Sequence, residues 1–171
     1  KIFYNCRNLT DISEMKIENT YNVINMNSMF YGNLKLEDIG SITRWDTSSV
    51  TDMGYIFFST KIADINALSN WDTSNVTNMV SMFNNTKITD ISALESWNTS
   101  NVRDMSYMFN YTQITNVNVL SNWDTSSLIN MRYMFGYTQI ADISGLARWD
   151  TSMVTDMEYL FYNIPITDIS A

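Results

Sequence analysis

The chain has 171 residues, enough for one domain with a substantial core or for a short tandem array. Its formal net charge of −8 and pI near 4.3 argue against a nucleic-acid partner and against a basic membrane-surface helix. There is no His and a single Cys, Cys6, which excludes imidazole-based catalytic triads, imidazole metal ligands, internal disulfides and zinc cages.

No apolar run approaches the ~20 residues of a bilayer span, so no transmembrane segment is expected within the sequence. No signal-peptide pattern or glycine-rich phosphate cradle is present either. KIFYNCRNLTDISEM at the start reads as the back half of a repeat unit, which makes 1–17 a partial repeat. Residues 18–44 read as a degenerate unit that keeps Val23, Met26, Met29, Phe30, Asp38, Ile39 and Ile42, with one extra residue between Phe30 and Leu36.

From there the pattern is regular. Trp45, Trp71, Trp97, Trp123 and Trp149 stand 26 residues apart, a period that signals a solenoid, propeller or array. Full units are 45–70, 71–96, 97–122 and 123–148, followed by a truncated unit at 149–171. Because the sequence begins and ends in mid-repeat, and arrays normally carry polar caps, it is expected to be part of a longer surface protein.

Within each unit the apolar columns are the Trp, then Val76, Met79, Met82, Phe83, Ile88, Ile91 and Leu94 with their counterparts at 26-residue steps. Eight apolar side chains suffice to line the inside of one coil, whereas a single unit is too small to fold alone. Two Asp columns accompany them. One follows the Trp (Asp46, Asp72, Asp124, Asp150, with Asn98 in the third copy); the other is Asp38, Asp64, Asp90, Asp142 and Asp168, with Asn116 as the exception. A calcium ladder and ordinary turn capping both explain such columns. Turn capping is favoured, since Asn caps as well as Asp but is a poor calcium ligand. The D-I-x-x-L string then reads as one capped turn of 3₁₀ helix.

Thr60, Thr86, Thr112 and Thr138 are expected to point inward and bond the backbone of adjacent coils, with Cys6 at the matching place of the first unit. Thr47, Thr73, Thr99, Thr125 and Thr151 read as turn or N-cap residues; facing outward, they would suit ice binding. V-x-x-M-x-x-M-F has helical spacing, yet its neighbours are strand formers, and a short parallel strand is predicted around the M-F segment.

WDTSNVTNMVSMF followed by ITDISAL resembles the roughly 26-residue surface-protein repeat of mycoplasmas and low-GC Gram-positive bacteria, often grouped with BspA-like leucine-rich-repeat proteins. The ITDISAL piece is also similar to internalin-type leucine-rich repeats. The resemblance implies a right-handed leucine-rich-repeat-like solenoid with short parallel strands and turns or 3₁₀ segments. It also implies a bacterial cell-surface location on a lipoprotein or wall-anchored parent, with roles in adhesion and virulence. The clean repeats depart from the family by one residue after Met-Phe, where the family often carries Gly-Cys.

If the columns fix the interior, specificity must reside in positions that vary. Those are Tyr55, Tyr107, Tyr133 and Tyr159 two residues after the Met, Phe58 and Tyr162 directly after the Phe, and Tyr111 and Tyr137 one further on. They predict a Tyr/Asn-rich stripe contacting a protein or glycan on another cell or matrix. The bland alternative is that these rings half-cover their own ladder. The expected function is a non-enzymatic, adhesin-like interaction module without cofactor or metal. The alternative is a structural stalk displaying another domain. A carboxylate glycosidase is disfavoured, because a repeated Asp pair would recur at every level.

Overall fold

The computed structural model describes residues 2–17 and 19–169. Each 26-residue repeat forms one level of a stack, and its neighbours in sequence lie directly above and below. The M-F segment carries a run of backbone hydrogen bonds between levels. In repeat 45–70, the N–H groups of Met53, Tyr55, Phe57 and Ser59 donate to the carbonyls of Asn78, Val80, Met82 and Asn84 at 2.8–3.1 Å. The intervening N–H groups of Ile56, Phe58 and Thr60 turn back to Met53, Tyr55 and Phe57 of their own level.

This alternation corrects the strand expected there. The segment is three consecutive β-turns, and pairing among the described residues is confined to isolated parallel bridges such as Asp52↔Asn78 and Asn78↔Asp104. The physical reason is backbone handedness. Tyr55 and Ser59 have φ of +57° and +56°, as the third residue of a type II turn requires, and a left-handed residue at every fourth position prevents extension into a strand.

Inside the stack the apolar columns meet like with like. Phe3, Phe30, Phe57, Phe83, Phe109, Phe135 and Phe161 form one near-parallel pile with centroids 5.5–6.0 Å apart. Each Phe from Phe30 to Phe135 also packs on the next repeat's Trp at 6.1–6.4 Å. The indole N–H of Trp71, Trp97, Trp123 and Trp149 donates to the carbonyl 29 residues earlier, one level down, so the buried rings of the first three and the half-buried Trp149 leave no orphaned donor.

The two Thr columns exchange their expected roles. Thr47, Thr73, Thr99 and Thr125 are buried, and each hydroxyl donates to the carbonyl of the Asp or Asn one level up. They stitch levels together and offer no outward lattice for ice. Thr60, Thr86, Thr112 and Thr138 are buried too, but they donate to the Phe carbonyl three residues earlier in their own level. That bond closes the last M-F turn. Asn33 takes the same place in the degenerate repeat, fully buried with both amide atoms unpartnered. Asn33→Thr is therefore expected to stabilise the chain by about 1–3 kcal/mol. The check is a raised urea midpoint at constant m-value; a lowered midpoint contradicts it.

After the M-F turns, five levels carry a short 3₁₀ segment among the described residues: Gly40–Arg44, Asn66–Leu68, Ser92–Leu94, Asn118–Asn122 and Ser144–Leu146. Two residues ahead of each, Asp38, Asp64, Asp90, Asn116 or Asp142 accepts the first N–H of the segment at 2.7–2.8 Å. Asn116 does so as well as the carboxylates, which is the behaviour of a turn cap.

Candidate functional site

The variable aromatic residues lie on the face formed by the M-F turns. Among the described residues, twelve non-glycine residues have φ between +53° and +60°, and all fall in two columns of that face. Six are tyrosines: Tyr55, Tyr107, Tyr111, Tyr133, Tyr137 and Tyr159. A left-handed backbone costs an L-residue about 1–2 kcal/mol, and Asn or Gly bear it best. Asn85 and Asn163 show the unforced choice at two of these positions. Tyrosine is thus held against the preference of its own backbone.

The rings form two clusters rather than one unbroken stripe. In the first, Tyr4, Tyr31 and Phe58 pile up at 4.9 and 4.7 Å, with Tyr55 tilted against Tyr31 and Phe58. In the second, Tyr107, Tyr133 and Tyr159 stack at 5.1 and 4.6 Å, beside Tyr111 and Tyr137 at 4.2 Å. Tyr162 meets Tyr133, Tyr137 and Tyr159 edge-on. Repeat 71–96 separates them, with Ser81, Asn84 and Asn85 where the rings would stand. Tyr4 and Tyr31 belong to the surface although the sequence reading passed over them; their place directly after Phe3 and Phe30 was the available signal.

The second cluster has a charged edge. The Arg132 guanidinium lies 5.5 Å from the Tyr133 ring centroid and 5.4 Å from that of Tyr159. Its Nε donates to the Tyr107 hydroxyl at 3.4 Å, and it pairs with Glu158 and, at 3.9 Å, with Asp156. Burial, then the nearby Tyr159 and Tyr107, push the Tyr133 phenol above its usual pKa, and a hydrogen bond with Tyr111 does the same for Tyr137. At neutral pH the Tyr133 and Tyr137 hydroxyls therefore stay neutral.

A third polar column runs beside the tyrosines and alternates strictly: Asn25, Asp52, Asn78, Asp104, Asn130, Asp156. Asn25 and Asn78 both donate to Asp52, and Asn130 donates to Asp104. Asp52 and Asp104 each sit between two amides, so no two charges of this column are adjacent along the stack.

The Asp column after the Trp caps turns. Asp46, Asp72, Asn98, Asp124 and Asp150 each accept the N–H of the Ser two residues on at 2.9–3.1 Å. The Ser side chain and then its N–H hold the carboxyls of Asp46, Asp124 and Asp150 below the usual range. A depressed folded pKa gives stability that is present above the unfolded pKa and lost as pH falls through the folded one. The triple variant Asp46→Asn, Asp124→Asn, Asp150→Asn should keep the turns, as Asn98 does, and lose less stability than the parent below about pH 4. Identical acid-denaturation curves would contradict this.

Among the described residues, no group of three or more His, Cys, Asp or Glu is arranged to hold a metal ion, and no helix is long and apolar enough to cross a membrane. A shallow depression of about 520 Å³ on the 3₁₀ side is lined by Asp38 and Asp64, whose carboxylates already cap Gly40 and Asn66.

In-register columns, level-to-level hydrogen bonds and the 26-residue period define a tandem-repeat protein. The chain belongs to the family described as Mycoplasma protein of unknown function, DUF285, whose model matches residues 1–93 and again 87–168. No curated protein matches it.

Proposed function

We propose that the chain is a non-enzymatic interaction module of a bacterial cell-surface protein, binding a host or matrix protein or a glycan through its tyrosine face. In this reading the stack is a right-handed, leucine-rich-repeat-like solenoid, carried on a lipoprotein or wall-anchored parent. The observation that supports it is the six tyrosines at left-handed positions. Side chains kept at a backbone cost of about 1–2 kcal/mol each are most simply kept for what they contact. Tyr also suits contact chemistry, joining a rigid apolar ring to a hydroxyl.

A second reading, a stalk that spaces another domain from the cell, draws on the ring-on-ring stacking, which gives the tyrosines packing partners of their own. The test is capture from cell or matrix extracts by the parent chain and by the variant Tyr107→Asn, Tyr111→Asn, Tyr133→Asn, Tyr137→Asn. The binding reading predicts that the folded variant loses a partner the parent retains. Equal capture by both leaves the stalk.

A further inference from the structure

Within each aromatic pile, ring faces are covered by other rings, so a ligand can stack only where a pile ends. Both clusters end at repeat 71–96. Tyr107 has a ring partner on the Tyr133 side alone, and Tyr111 on the Tyr137 side alone. Across the repeat, Phe58 and Tyr55 pair with Tyr31 and with each other. Levels about 4.8 Å apart put the flanking ones roughly 10 Å from each other. That separation accepts one flat ring between two others at ordinary stacking distance.

The floor of this notch is polar and neutral. Ser81 and Asn84 are only 3% and 8% exposed, yet among the described residues neither side chain makes a hydrogen bond to the protein. The equivalent Asn110 does, donating to the Gly136 carbonyl at 3.0 Å. With no protein partner, their polar atoms keep contact with solvent, unlike the sealed amide of Asn33. Between the ends of two aromatic piles they leave the parts of a ligand site: apolar faces at the sides and a hydroxyl and an amide beneath.

We propose that the notch over Ser81 and Asn84, between Tyr55/Phe58 and Tyr107/Tyr111, is a subsite for one neutral pyranose ring. The C–H face of a sugar stacks on tyrosine, and its hydroxyls match a floor that both donates and accepts. The net charge of −8 selects against anionic sugars. The inference rests on the tyrosine face being a binding surface and names the class of ligand it takes.

Saturation-transfer NMR of the intact chain with lactose, maltotriose and N,N′-diacetylchitobiose tests it, with sialyllactose as the anionic control. At least one neutral sugar should give signals concentrated on ring C–H protons. Ser81→Tyr should abolish them, since it fills the notch with the residue its own column carries at Tyr55, Tyr107 and Tyr133, the last with the same φ of +53°. Asn84→Ala, which removes only the floor amide, should weaken binding at least tenfold. Absence of signal from all three neutral sugars, or signals unchanged in folded Ser81→Tyr, overturns the proposal. If folded Ser81→Tyr leaves the sugar signals unchanged while the four-tyrosine variant loses its extract partner, the tyrosine face stands and the sugar subsite falls.

Discussion

Phe109→Ala is expected to destabilise the chain by about 3–5 kcal/mol, the range for emptying a buried aromatic site. Phe109 is fully buried and sits mid-pile, 5.8 Å from Phe83, 5.9 Å from Phe135 and 6.4 Å from Trp123. Its neighbours are held by hydrogen bonds to the levels above and below, so the walls cannot collapse into the space. Because stability in a repeat array is a sum of unit and interface terms, both interfaces of level 97–122 weaken together. Urea unfolding should show a much lower midpoint, while Tyr111→Asn two residues away should move it by roughly 0.5 kcal/mol or less. Comparable losses from both variants would mean that surface and core have been wrongly assigned.

Asn78→Asp is expected to cost about 2–4 kcal/mol at pH 7. It removes the amide that donates to Asp52 Oδ1 at 3.0 Å and sets three carboxylates, at 52, 78 and 104, on adjacent levels. These groups are half-buried, which tempers screening by solvent without abolishing it. Crowding raises carboxyl pKa values in the folded state, so the unfolded state releases protons first and the loss appears as pH rises through the carboxylate range. The gap between variant and parent should therefore close as pH falls towards 4. Urea titrations at pH 4 and pH 7 measure it. A deficit equal at both values would point to packing rather than charge and would remove the reason given for the Asn/Asp alternation.

The ladders were legible because a 26-residue spacing repeated at five tryptophans leaves little freedom. Every column from Phe57 to Phe161 and from Trp45 to Trp149 follows from counting, and the capping role of Asp64 and Asn116 follows from the Asn exchange. The M-F turns were not legible. Left-handed positions are ordinarily betrayed by Gly or Asn, and here half carry Tyr, whose strand preference pointed the wrong way. The Thr columns misled for a related reason. Both are buried hydroxyls, and which backbone carbonyl each reaches, Asp72 for Thr47 or Phe57 for Thr60, depends on the path between levels. Arg132 was invisible because none of its partners shares its level: Tyr107 lies one level down, and Asp156 and Glu158 one level up. The alternation from Asn25 to Asp156 stood in the sequence, but two neighbouring Asp columns with a simple turn role drew attention from it.

The division of labour between constant columns that build the stack and tyrosines retained for a partner is tested most directly by the stability of Tyr107→Asn, Tyr111→Asn, Tyr133→Asn, Tyr137→Asn. Losing the ring pairs forfeits about 0.5–1.5 kcal/mol for each stacked contact, while relief of four left-handed tyrosines returns about 1–2 kcal/mol apiece. Urea denaturation should therefore find the variant at least as stable as the parent. A loss of several kcal/mol would show that the tyrosines hold the stack together, and would contradict the claim that they are kept for binding.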